Sequence, residues 1–207
     1  MNCLFHWRKM LLVALFGIAL SANTASAQID PNICDCEFPG IIKANLPICL
    51  GGVNYLVDVY GCEQNPGTLF PEICLNSGLQ NRRTTITKIC FVGTPPASYS
   101  AQALIDAVVC TMNPCRPPYS WGVTMPPVPG TIYCWTIVTP TCVRILANGC
   151  LERCGTGCCI LAIQFKVDAN PINPCIVTYW ACNVPGVCYD GCIPLTCMTE
   201  QPVCCGP

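Results

Sequence analysis

The stretch Cys158-Cys159-Ile160-Leu161-Ala162-Ile163-Gln164-Phe165-Lys166-Val167 decides the fold. Side chains of an extended chain alternate between two faces. Cys159, Leu161, Ile163, Phe165 and Val167 therefore share one face, and Gln164 and Lys166 take the other. That period of two is the signature of a half-buried strand. The same reading extends outward along the chain. Val53 to Tyr60 places Val53, Tyr55, Val57 and Val59 on one side and Asn54, Leu56, Asp58 and Tyr60 on the other. Thr84 to Val92 is rich in β-branched residues, which favour strands. Thr131 to Val138 and Cys142 to Ala147 flank Thr139-Pro140-Thr141, which reads as a three-residue hairpin loop. Cys175 to Cys182 is a further strand, after a loop over 168–174 that holds two prolines and two asparagines.

One helix is expected, Ala101 to Cys110. Ser100 is its N-cap, Tyr99 can staple against Leu104, and Leu104, Ile105, Val108 and Val109 form the apolar stripe. The fold class that follows is mainly β: a disulfide-rich antiparallel sheet, as a meander or sandwich, with one short helix. Arg116 to Gly130 carries five prolines around Tyr119 and Trp121 and reads as an extended strap over the domain, or as an aromatic contact loop.

The N-terminus has the order of a secretory signal. Arg8 and Lys9 precede an apolar run from Met10 to Leu20, and a small polar segment ends Ala25-Ser26-Ala27. The run is shorter than the roughly twenty residues of a membrane span. Cleavage after Ala27 leaves 180 residues of 207, with 21 of the 22 cysteines, eight basic residues against eleven acidic ones, and no histidine. Two regions are expected beyond the signal peptide of residues 1–27. Residues 28–148 form a β-rich region with the helix. Residues 149–207 form a cysteine-dense β region, in the same domain or a second one, with the boundary at the turn dipeptide Asn148-Gly149.

Cysteine at this density in an exported chain means disulfides. There is no C-x-x-C, which removes thioredoxin-type redox, zinc-knuckle and haem-attachment spacings together. Cys150, Cys154 and Cys158 recur every four residues, but Gly155 and Gly157 oppose a helix that would align them as metal ligands. No metal or cofactor site is expected. In the adjacent pairs Cys158-Cys159 and Cys204-Cys205, neighbours point to opposite faces, so each should find a different partner. An odd cysteine count leaves one sulfur over, for a buried thiol or for an intermolecular disulfide, with the tail pair Cys204 and Cys205 the best candidates.

The function classes narrow mostly by exclusion. Without histidine there is no Ser-His-Asp or Cys-His site, and no phosphate loop or dinucleotide fingerprint is present. Carboxylate pairs remain: Asp35 with Glu37, or Asp58 with Glu63. With eleven acids, such proximities are ordinary, and a solvated face explains them. No catalytic residue is therefore assigned. A mature net charge of about −3 speaks against nucleic acid and anionic membrane. Arg82-Arg83 is the one basic pair and reads as a solvated turn. Only 10% of residues are charged and 52% are hydrophobic, against about 25% charged in an average domain. Such a surface associates readily. The first expectation is a secreted, non-catalytic structural or interaction protein of the cell surface or matrix, with the periplasm as the bacterial equivalent. The second is a secreted binding module, an inhibitor or ligand-binding domain, presenting stapled loops such as Cys62 to Cys74. The third is a carboxylate-based hydrolase.

Overall fold

The computed structural model describes residues 34–64, 81–112, 132–167 and 175–198. The signal segment, the 116–130 strap, Cys74, Cys204 and Cys205 lie outside them. The described elements are β1 (Gly40–Leu50), β2 (Val53–Gln64), β3 (Asn81–Phe91), α1 (Ala101–Thr111), β4 (Ile132–Pro140), β5 (Cys142–Ile145), β6 (Leu151–Arg153), β7 (Cys158–Val167), β8 (Cys175–Val184) and β9 (Ile193–Pro194). The protein is mainly β with one short helix, as the alternation requires.

β7 runs antiparallel between β4 and β8, and neither register is interrupted. β4 then lies against β3 in parallel, Asn81 to Cys134 through Thr85 to Val138. This one parallel pair makes the nine-stranded sheet mixed where an all-antiparallel one was expected. The chain between β3 and β4 contains α1, and a parallel pair needs a long crossover of that kind. β2 pairs antiparallel with one edge of β3 and with β1 on its own far side. On its other edge β3 changes partner: residues 81–85 face β4, while Lys88 and Ile89 face Glu152 and Leu151 of β6. The sheet forks there, one branch running β4-β7-β8 and the other β6-β5-β9, and it curls into a half-barrel.

The expected hairpin across Thr139-Pro140-Thr141 does not form. β4 continues through Pro140, and the chain then crosses to the other branch of the fork. Thr141 donates its N–H to the Gly157 carbonyl (3.3 Å) and accepts from Leu195 N–H (2.7 Å). β5 consequently pairs with β6 and β9. Arg82-Arg83 is likewise not a turn: both residues lie in β3, opposite Trp135 and Thr136 of β4.

α1 fills the concave side. Ser100 Oγ accepts from Ala103 N–H as the cap, and Leu104, Ile105, Val108 and Val109 are buried. They meet Leu46 and Ile48 of β1, Val57 and Val59 of β2, Trp135 and Ile137 of β4, and Leu161 and Ile163 of β7. Each such side chain contributes about 1.5–3 kcal/mol by leaving water. Tyr99 packs edge-on against Phe91 at 5.2 Å and donates its hydroxyl to the Gly149 carbonyl (2.9 Å), and burial raises its pKa. Trp135 Nε1–H donates to Thr84 Oγ1 (2.9 Å), a buried bond between β4 and β3. Val143 and Leu151, on either side of the β5–β6 turn at Asn148-Gly149, belong to this same core.

β7 is buried on its second face as well. Cys158 and Ile160 join Cys34, Val138 and Cys182 in a smaller cluster. The segment carrying Cys34 is held there by the Cys34–Cys158 disulfide. The other pairs are Cys36–Cys62, Cys90–Cys150, Cys142–Cys188, Cys154–Cys192 and Cys159–Cys197. Cys49, Cys110, Cys134 and Cys182 are also disulfide-bonded. The adjacent pair behaves as strand geometry demands, Cys158 reaching the N-terminal segment and Cys159 the C-terminal one. This density of cross-links belongs to an oxidising, extracellular-type compartment. Among the described residues no helix is long and apolar enough to cross a membrane.

Candidate interaction surface

Two of the four carboxylates singled out by sequence, Asp58 and Asp35, hold structural contacts. Asp58 Oδ1 accepts from Asn45 N–H (2.9 Å), at a residue with φ of 53° inside the irregular part of β1. Asp35 lies 3.6 Å from the Arg153 guanidinium. Asp35 and Glu37 precede β1 and share no strand, and a register shift at Tyr60/Gly61 separates Asp58 from Glu63. Among the described acids, the one whose pKa moves is one the sequence did not flag. Burial raises that of Asp106 on α1, and a hydrogen bond from Gln102 (2.8 Å) opposes this. Gln102 in turn accepts from Thr196 N–H (2.9 Å), so the pair ties the C-terminal segment to the helix.

The cysteines at 150, 154 and 158 go to three different disulfides, with Cys90, Cys192 and Cys34. β6 runs between the first two. Among the described residues no cluster of histidine, cysteine or carboxylate side chains is arranged to hold a metal. The loop expected between Cys62 and Cys74 is not closed by those two residues, because Cys62 pairs with Cys36.

A polar groove of about 390 Å³ opens on the sheet beside the fork, lined by Tyr60, Thr87, Lys88, Arg144, Glu152 and Arg153. Its three cations invite comparison with an anion site, but two are already spent. Arg144 makes a forked bond to Glu152 Oε2 (2.7 and 3.1 Å). Arg153 donates to the Gly155 and Thr156 carbonyls (2.9 and 3.0 Å) and to that of Cys34. Lys88 lies over the Tyr60 ring at 5.8 Å. The row Tyr60, Lys88, Glu152, Arg144 crosses four adjacent strands in register, and such cross-strand pairs stabilise the sheet.

The segment from Pro185 to Ile193 is built differently. It carries Val187, Tyr189 and Ile193, exposed by 66%, 57% and 41%, and the exposed Asp190. Its backbone is clamped on the 154–157 segment. Thr156 N–H bonds the Val187 carbonyl (3.1 Å), Tyr189 N–H bonds that of Cys154 (3.2 Å), and Val187 N–H bonds Thr156 Oγ1 (3.0 Å). Cys142–Cys188 and Cys154–Cys192 fasten it covalently from both branches of the turn. The seat is glycine against glycine: a Cβ on Gly186 would lie 1.9 Å from Gly157 N, and one on Gly155 would lie 2.5 Å from the Val187 carbonyl oxygen. A loop held this way presents its apolar side chains at little entropic cost on binding.

This loop is not among the sequence expectations; its signals in the chain are the Cys188-x-x-x-Cys192 spacing and the Gly-Thr-Gly of 155–157. Comparison with protein-family models, curated proteins and solved structures found no match to the chain.

Proposed function

We propose that the chain is a non-catalytic interaction protein of the extracellular space, with Val187, Tyr189 and Ile193 on the clamped loop as its contact residues. The observation that carries this is the combination of large apolar exposure with a backbone locked by two disulfides and close glycine packing. Exposed aromatics on rigid supports are the commonest anchors of protein interfaces. Asp190 lies among them, and among the described residues it makes no ion pair. The partner that fits is a protein surface with an apolar pocket beside a basic group.

The test uses the exported chain as bait in its own extracellular fraction, beside Tyr189→Ser and Asp190→Lys. A captured protein, once purified, should bind wild type and lose about tenfold or more in affinity with Tyr189→Ser, with the melting temperature unchanged. Equal binding by all three forms removes the loop from the function. N-terminal sequencing of the same material should read from Gln28, and retention of Met1 in exported protein refutes signal cleavage.

A structural role through self-contact is the second reading. It is favoured by the low charge.

A further inference from the structure

The polar groove beside the fork holds more than an ion pair. Lys88, Arg144 and Arg153, three of the eight basic residues left after signal cleavage, line it; among the described residues Glu152 is the one carboxylate of that lining. An acidic chain thus gathers positive charge at one concave place, and a cleft of one sign draws in ions of the other. Arg153 is committed to the carbonyls of Cys34, Gly155 and Thr156, with Asp35 3.6 Å away. Arg144 gives Nε and Nη2 to a single oxygen, Glu152 Oε2. Its Nη1 and Glu152 Oε1 have no partner among the described residues. Lys88 stands opposite Glu152 in the strand register, yet makes no ion pair or hydrogen bond among the described residues. Its ammonium rests over the Tyr60 ring at 5.8 Å. The support is rigid: the Cys90–Cys150 disulfide ties β3 to the start of β6, two residues from Lys88 and two from Glu152.

We propose that this groove binds an acidic sugar, with a carboxylate or sulfate group held between Lys88 Nζ and Arg144 Nη1 and a ring hydroxyl donating to Glu152 Oε1. The unspent atoms select the ligand. Two donors with full positive charge call for an anion, and charge-assisted bonds of this kind are about twice as strong as neutral ones. The free carboxylate oxygen beside them calls for an O–H or N–H donor close to that anion. A sugar acid carries both groups on one small ring. An aspartate or glutamate side chain brings the anion alone, and a bare phosphate crowds its charge against Glu152. The lining is polar apart from Pro39 and Tyr60, as a hydroxyl-rich ligand requires. The volume of about 390 Å³ lies at the lower end of the roughly 300–1,000 Å³ of ligand pockets. The site goes beyond the loop-based reading above and does not rest on it, because none of the residues 185–193 lines the groove.

The test is calorimetric titration of the exported full-length chain at low and high salt. The probes are an oligogalacturonate, a heparin-derived oligosaccharide, a neutral maltooligosaccharide and an oligoglutamate peptide. The expected result is binding of an acidic oligosaccharide that weakens with salt and no binding of the neutral one; the first two probes distinguish a carboxylate from a sulfate as the recognised acid. Lys88→Gln and Arg144→Gln should each weaken that binding by about tenfold or more. Both positions are at the surface, so the melting temperature should stay near that of wild type. Lys88→Arg keeps the charge and should retain binding. Tyr189→Ser should bind the sugar as wild type does, which separates this site from the clamped loop. Failure of both acidic oligosaccharides to bind, unchanged affinity in either glutamine variant, or equal or tighter binding of oligoglutamate overturns the proposal.

Discussion

Replacing Gly186 with alanine probes the seat of the clamped loop. The new Cβ would stand 1.9 Å from Gly157 N, 2.3 Å from Gly157 Cα and 2.7 Å from the Thr156 carbonyl carbon, where ordinary contact begins at 3.4 Å. All three neighbours are backbone, so no side chain can swing aside. The loop must lift by about 1.5 Å, the gap between those distances. Neither side yields easily, because β7 begins at Cys158 between two strands and two disulfides hold the loop. Overpacking of this kind costs about 1–3 kcal/mol, and the paired Thr156–Val187 bonds add about 1 kcal/mol each if lost. For a domain of this size the sum lowers the melting temperature by roughly 5–15 °C. Thermal unfolding under oxidising conditions measures this, and amide exchange at Thr156, Val187 and Tyr189 should quicken in parallel. Gly40, with open space around it, is the control: its alanine variant should gain about 0.4–1 kcal/mol. A Gly186→Ala protein that melts within about a degree of wild type, with those amides still protected, refutes the reasoning.

Three further outcomes are expected. Trp135→Phe removes the donor to Thr84 Oγ1 and should cost about 2–4 kcal/mol in denaturant unfolding; adding Thr84→Val should recover about 1 kcal/mol, since a buried hydroxyl no longer lacks its donor. Removing Cys34–Cys158, which closes a separation of 124 residues, should cost about 5 kcal/mol, and removing Cys154–Cys192, with a separation of 38, about 4 kcal/mol on the chain-entropy account; a reductant should collapse the melting transition and a chelator leave it unmoved. Burial holds the Asp106 pKa above its unfolded value, so the folded state prefers the protonated acid. The penalty is absent below the unfolded value, grows as pH rises from the unfolded value to the folded one, and is constant above it. Asp106→Asn should therefore melt higher than wild type at neutral pH, with the difference vanishing in acid; a constant difference across that range refutes the assignment.

The strands β2, β3, β4, β5, β7 and β8 and the capped helix were legible because alternation, β-branched composition or a cap specifies each locally. β1 was not, because Asn45, Pro47 and two register shifts break its period. Gly51-Gly52, at φ of 61° and 82°, was the available signal, a two-residue hairpin turn just before Val53. The parallel β3–β4 pair and the fork were hidden for a different reason. Nothing near Thr139-Pro140-Thr141 distinguishes a hairpin from a crossing between branches, and the deciding bond, to Gly157, comes from distant chain. The same holds for the proposed interaction surface. Cysteine counting foretold the cross-links and the divergent partners of Cys158 and Cys159, but loop identity depends on which sulfurs meet. The close approach of Gly186 to Gly157 is likewise a contact between segments far apart in sequence.

The neighbouring bridges Cys34–Cys158 and Cys159–Cys197 have a mechanical consequence. Tension between residues 34 and 197 has a covalent path that bypasses the sheet: one disulfide, the single peptide link from Cys158 to Cys159, and a second disulfide. The two bridges span 5.5 and 5.2 Å between Cα atoms, joined by one peptide step of about 3.8 Å. Residues 35–157 and 160–196, which carry β1 to β6, the rest of β7, and β8 and β9, hang from this short tether as unloaded loops, so pulling neither unzips strands nor lengthens the chain appreciably. The protein is thus inextensible along that line for as long as its disulfides stay oxidised, and reduction alone would release its slack.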